Sequence, residues 1–326
     1  MATLALCAAM LSGCAAPQWV TVRDAPRNPL AERLMLLSRG GPRPTERTLV
    51  FMRKYNLEGH VHDKPEELVH QIQVVIDREP SSEALAAAAE LSYIGGVRSQ
   101  LVGNSRESLD LFGTSVAYSY AYLFGLRPNR FHNPYDPQFR GTCDLYNAGL
   151  EAALRSVKKQ SKFRAGAEFN VDVKGEQYDV TIVPRNVPWP ADDIDHFEFA
   201  SDYEIHGLKN LFHTYGLGVP LIAVRKEHVY DDPLDKHYAP GVSFPVTAFL
   251  RCLAEEPSAP LASTTPAGQT DADLSIRKRM NGTSPIPTRT FMVDIFCCAS
   301  KEAEEERWAS RCSRPWKRIF RSCRAT

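Results

Sequence analysis

Phe169-Asn170-Val171-Asp172-Val173, Lys174-Gly175-Glu176-Gln177 and Tyr178-Asp179-Val180-Thr181-Ile182-Val183, read in order, decide the fold class. Two segments alternate apolar and polar residues with period two, and turn chemistry lies between them. That is the pattern of a β-hairpin with one face buried. Upstream the period changes. From Asn28 to Lys162 the apolar residues recur at helical spacing between Pro/Gly punctuation. Leu30, Leu34 and Leu37 precede a Gly40-Gly41-Pro42 stop, and Thr45 to Tyr55 reads as a second short helix. Pro65 opens a third, with Leu68, Ile72, Val75 and Ile76 on one face, and Pro80 ends it. Ser81 or Ser82 caps a fourth, Glu83 to Ile94, stopped by Gly95-Gly96. Two more are expected, at about 106–124 and 142–160.

Downstream of the hairpin, Leu221-Ile222-Ala223-Val224 and Val242 to Leu250 read as further strands. The expected class is therefore α+β: an irregular or TPR-like helical bundle over 17–162, then a β-hairpin-containing region over 163–251. From Cys252 the composition changes. The stretch 252–326 holds 5 of the 8 cysteines, no tyrosine and no histidine, with little amphipathic order outside Phe291 to Cys298. It reads either as a disordered low-complexity tail or as coding sequence translated in a shifted frame. Scattered cysteines weigh toward the frameshift, because thiols are a liability in an exported protein.

The whole chain has 326 residues, with 39 basic and 39 acidic side chains. Zero net charge provides no global field to gather nucleic acid. Residues 1–13 hold an apolar run of about a dozen residues, too short to cross a bilayer but suited to a signal peptide. It ends in Leu11-Ser12-Gly13-Cys14, which resembles the bacterial lipobox. That resemblance implies a diacylglyceryl group on Cys14 and cleavage before it. The mature chain would then be held by lipid at the bacterial cell envelope, outside the cytoplasm. No Lys or Arg precedes the apolar run, from which a natural start codon a few residues upstream is expected.

Phe197-Glu198-Phe199-Ala200-Ser201-Asp202-Tyr203-Glu204 runs on through Gly207-Leu208 to His213-Thr214-Tyr215-Gly216-Leu217-Gly218-Val219-Pro220. With Asp144-Leu145-Tyr146-Asn147 and the lipobox, this resembles the N-terminal region of large planctomycete lipoproteins of the α/β-hydrolase superfamily. In those, an esterase- or lipase-like domain follows. A Gly-x-Ser-x-Gly elbow is what such chemistry needs, and this chain contains none. The nearest string, Gly113-Thr114-Ser115-Val116-Ala117, sits in a helical pattern, where Ser115 reads as a packing residue.

The remaining candidates read as structural. His60-x-His62-Asp63 offers metal-ligand types without a partner set. The acidic stretch of Asp192, Asp193, Asp195, His196, Glu198, Asp202 and Glu204 lacks EF-hand spacing and reads as a solvated loop, as does Asp231-Asp232 with Asp235 and His237. Cys143 reads as a buried thiol. Tyr118, Tyr120, Tyr122 and Phe124 read as core packing, Trp189 as part of a rigid connector, and the basic end at 307–324 as unsuited to nucleic acid outside the cell. No cofactor or metal motif is present. The sequence thus predicts an accessory, non-catalytic envelope lipoprotein with a membrane contact through Cys14 and room for a protein partner. A serine hydrolase with an unplaced nucleophile and a helical-repeat interaction protein are the alternatives.

Overall fold

A computed structural model describes residues 19–60, 64–79, 81–125, 133, 135–161, 163–173, 176–185, 187, 189–206, 216–226, 242–254 and 289–297. Among the described residues, five α-helices and eight strands make it an α+β protein. The helices are α1 (Glu46–Lys54), α2 (Pro65–Arg78), α3 (Ser82–Leu101), α4 (Ser105–Tyr120) and α5 (Pro137–Lys159). The strands are β1 (Val20–Val22), β2 (Glu168–Val173), β3 (Glu176–Arg185), β4 (Ile194–Phe199), β5 (Tyr203–Ile205), β6 (Val219–Arg225), β7 (Ser243–Ala254) and β8 (Arg289–Cys297).

Helix α3 is the hub of the helical layer. It is buried from Ala84 to Gly96 and small or apolar on every side apart from Glu90 and Ser92, as suits a helix surrounded by others. Ser81 caps it, its hydroxyl accepting from the Ala84 amide at 3.1 Å. The expected stop at Gly95-Gly96 does not occur, and the helix runs on to Leu101. Both glycines are contact points. A Cβ on Gly95 would come within 2.6 Å of Pro65 on α2, and one on Gly96 within 2.7 Å of the Phe112 ring on α4.

Residues Asn28 to Gly40 form turns rather than the expected helix. Leu30 and Leu34 are buried, but Leu37 stands in solvent. Helix α5 begins five residues before its expected start, with Asp136 accepting from the Gln138 amide at 2.9 Å and Pro137 in the first turn.

The β-hairpin is where the period-two pattern put it, β2 and β3 pairing antiparallel from Val173↔Glu176 to Glu168↔Thr181. It is the edge of a six-stranded sheet ordered β2-β3-β8-β7-β6-β4, in which only β3–β8 is parallel. The acidic stretch 192–204, expected as a loop, instead folds as two short 3₁₀ turns around β4 and ends in β5. β8 comes from the single amphipathic segment of 252–326, and the boundary drawn at 251/252 falls inside β7.

Alternation buries one sheet face against the helices. Val171, Val180, Ile182, Val293, Val246, Leu221 and Phe199 all join the cluster that contains α3 and α5. The helical and β regions therefore share one core. Among the described residues no helix is long and apolar enough to cross a membrane.

Candidate functional site

Helix α5 lies along the sheet as a rail, and it carries Asp144–Asn147 and meets Gly216–Gly218 and Phe197–Asp202, the described parts of the segments quoted for the resemblance. Tyr146 donates its hydroxyl to the Leu250 carbonyl at 2.8 Å and accepts from the Leu250 amide at 2.9 Å. β6 pairs with β7 only as far as Val219↔Ala248, so Leu250 lies beyond that ladder. The phenol supplies the two hydrogen bonds that a longer neighbour strand would have made. Its ring packs on Phe249, centroids 5.5 Å apart.

Asn147, next along, accepts from the Gly218 amide at 2.7 Å and donates to the Gly216 carbonyl at 2.9 Å. Gly218 has φ +114°, and a Cβ there would meet Thr247 at 2.5 Å, so only glycine fits where β6 begins.

About two turns further, Arg155 gathers the Phe197–Glu204 segment. It donates to Glu151 Oε1 through Nε (2.9 Å) and Nη2 (2.8 Å), to Ser201 Oγ (2.8 Å) and to Asp202 Oδ1 (2.7 Å). Its guanidinium also lies 4.1 Å from the centroid of the Phe199 ring. Ser201 donates to Glu151 at 2.5 Å, and Lys158 to the Phe197 carbonyl at 3.1 Å. The Ser201 hydroxyl is thus held between a carboxylate and a guanidinium, which ties the turn after β4 to α5.

On the opposite face of β4, His196 bridges Asp195 (Nδ1 to Oδ2, 2.6 Å) and Glu198 (Nε2 to Oε1, 3.2 Å). Glu198 also accepts from the Tyr203 hydroxyl at 2.7 Å. The Asp195 hydrogen bond above all holds the imidazole pKa up, and the Tyr203 hydroxyl above all holds the Glu198 carboxyl down. The same contact pushes the Tyr203 phenol up to about 12. This cluster pairs charge at a half-exposed surface. Among the described residues no group of three metal-ligating side chains converges.

Ser115 is wholly buried on α4 and donates to the Ala89 carbonyl of α3 at 2.7 Å, a packing contact as read. Cys143 is half-buried against the core, and Tyr118 and Tyr122 are buried in it. Trp189 meets Phe244 edge-on at 4.9 Å. Cys14, His62, Asp63, Asp231, Asp232, Asp235, His237 and 307–324 lie outside the described residues.

Sequence reasoning missed Glu90, a buried carboxylate in the small-residue stretch of α3. It accepts from the Thr45 amide at 2.6 Å and the Thr45 hydroxyl at 3.0 Å, with Arg33 at 3.9 Å. A polar side chain amid six small or apolar neighbours was the available signal. A cavity of about 20 Å³ beside it has room for one water.

No family model, no curated protein and no solved structure matches the chain.

Proposed function

We propose that this chain is a bacterial cell-envelope lipoprotein, held outside the cytoplasm by acyl chains on Cys14. Its body is the accessory, non-catalytic part of an α/β-hydrolase-like protein, and it presents itself to a protein partner at the membrane. The observation that carries this reading is Leu11-Ser12-Gly13-Cys14, directly after a short apolar run and six residues before β1.

The way the body receives the N-terminal segment supports it. The Arg23 and Arg27 amides donate to the Asp202 and Ser201 carbonyls at 2.7 and 3.2 Å, and Asn28 donates to the Tyr93 hydroxyl at 2.7 Å. A pull on the anchor is passed directly to the α5–β4 lock. The non-catalytic half rests on the missing Gly-x-Ser-x-Gly and on the use of Ser115 and Ser201 in packing and ion-pair contacts.

Metabolic labelling with radioactive palmitate tests the anchor. The expected result is a labelled, membrane-associated product that becomes unlabelled in Cys14→Ser. An unlabelled wild type in the aqueous fraction overturns the reading. Turnover of p-nitrophenyl esters that disappears on substituting one serine would overturn its non-catalytic half.

A further inference from the structure

We infer that Lys158 is an autoinhibitory contact: it keeps β4, an edge strand of the six-stranded sheet, from pairing with β4 of a second copy of this chain. The inference does not depend on the acylation of Cys14. β4 ends the sheet order on one side, and among the described residues β6 is the strand it pairs with. Such an edge presents a row of backbone groups to any other chain.

The register says which groups those are. The Arg225 amide donates to the Val242 carbonyl at 3.0 Å, so Ala223 and Leu221, at alternate positions of β6, also turn their backbone groups to β7. Ile222 and Val224 turn theirs to β4, where they stand opposite Glu198 and His196. The amides and carbonyls of Glu198 and His196 therefore face β6, and those of Phe197 and Phe199 point away from the sheet. The Phe197 carbonyl is the one that Lys158 Nζ takes, at 3.1 Å. Lys158 is exposed, stands in the last turn of α5, and holds its ammonium 5.5 Å from the centroid of the Phe199 ring. It thus lies along the two residues whose backbone is turned outward.

A second copy is the partner that fits this edge. Antiparallel pairing of β4 with itself about a two-fold axis at Phe197 sets the two outward Phe197 backbones against each other and places His196 opposite Glu198 of the partner subunit. Within one chain these two side chains already meet, Nε2 to Oε1, at 3.2 Å, so the attraction is present and only its direction changes. Opposite charges on directly opposed residues favour a pair of strands. The ammonium at the Phe197 carbonyl opposes it. An incoming strand has to displace that group or bury it without a partner, and burying an unpaired charge costs more than one ladder bond contributes. A lysine at the edge and an irregular register are two of the devices that keep edges from pairing, and β4 has both, its register shifting between Ile194 and His196. The other edge of the sheet is treated alike: the Asp172 amide of β2 donates to Asp110 of α4 at 2.9 Å.

Sedimentation equilibrium of the purified full chain tests this, in a detergent matched in density to the solvent so that protein mass alone is read. Thermal unfolding of the same samples reports on folding. Lys158→Met keeps the length of the side chain and removes the donor; Lys158→Arg keeps a donor. The expected result is single chains for wild type and Lys158→Arg, and for Lys158→Met a passage from one chain to two as concentration rises, with the cooperative thermal transition kept. Adding Glu198→Lys to Lys158→Met sets like charges opposite each other across the axis and is expected to abolish the pairing. Pairing that survives in that double variant uses another surface and overturns β4 as the site. Lys158→Met that stays single, a wild type that already pairs, or a thermal transition lost in Lys158→Met, which would make the lysine a support of the fold, each overturns the inference.

Discussion

Glu90 is the residue whose chemistry is most sharply defined by its surroundings. Burial above all pushes its carboxyl above the ordinary carboxylate range, against the opposing pull of the Thr45 amide, the Thr48 and Thr45 hydroxyls and Arg33. The folded state therefore holds the proton more tightly than the unfolded chain. Such a group contributes stability that is complete below the unfolded carboxylate range and is lost as pH rises through the raised value. Glu90→Gln is expected to abolish that part of the pH dependence and to be at least as stable as wild type at neutral pH. Glu90→Ala leaves the Thr45 amide without its acceptor, at a cost of about 2 kcal/mol. Urea unfolding between the acid limb and neutrality separates the two. Parallel pH profiles for wild type and Glu90→Gln would show that folding does not raise the pKa of this carboxyl. The local sequence shows only a lone carboxylate in a run of small residues and not its role, because its Thr45 partner comes from 45 positions away.

At the scale of elements, the glycine pair in α3 shows what a local signal can and cannot say. Gly95-Gly96 near the end of a helical run is a legitimate stop signal, since glycine costs about 1 kcal/mol in a helix interior. Here that cost is outweighed by contact with Pro65 and Phe112, which only the three-dimensional arrangement reveals. Phe112 is wholly buried and packs on Tyr93 with centroids 5.5 Å apart, so its ring cannot retreat from a new methyl group. Gly96→Ala is therefore expected to destabilise by about 1–2 kcal/mol despite its better helix propensity. Phe112→Leu in the same chain should return part of the loss, which a double-mutant cycle by chemical denaturation measures. An additive cycle would mean that the helices do not touch there.

The joint between layers makes a matching case. Tyr146→Phe deletes only the oxygen that serves both backbone groups of Leu250, and is expected to cost about 2 kcal/mol with the fold intact. By contrast the β2–β3 hairpin was legible, because strand period and turn chemistry are both local. β4 was not: Asp192 and Asp193 lead into it, Asp195, His196 and Glu198 make up half of it, and a register shift between Ile194 and His196 breaks the alternation that Phe197 and Phe199 would have shown.

For the molecule as a whole, the decisive piece is β8. It pairs with β3 from Val180↔Phe291 to Arg185↔Phe296 and with β7 from Val246↔Cys297 to Ala254↔Arg289. Its apolar pattern was visible in the sequence, yet its place was not. A parallel pairing with a strand about 110 residues earlier leaves no local trace, and loop closure over such a distance is set by the finished core.

The sheet's arithmetic then gives the strongest expectation about the chain beyond residue 251. Without β8 the sheet falls into β2–β3 and β7–β6–β4, each with a new open edge, and Val293 leaves the core beside Ile182 and Leu250. A chain ended after Ala254 is therefore expected to lose its cooperative thermal transition and near-ultraviolet circular dichroism, and to aggregate. Val293→Asp in the full chain places a charge on the buried sheet face and should lower the midpoint sharply without removing the strand's backbone. Unchanged transitions in both variants would place Arg289–Cys297 outside the fold and return the stretch from Cys252 onward to the status of an appendage. Loss in both makes the C-terminal coding sequence part of what the folded body needs in order to exist.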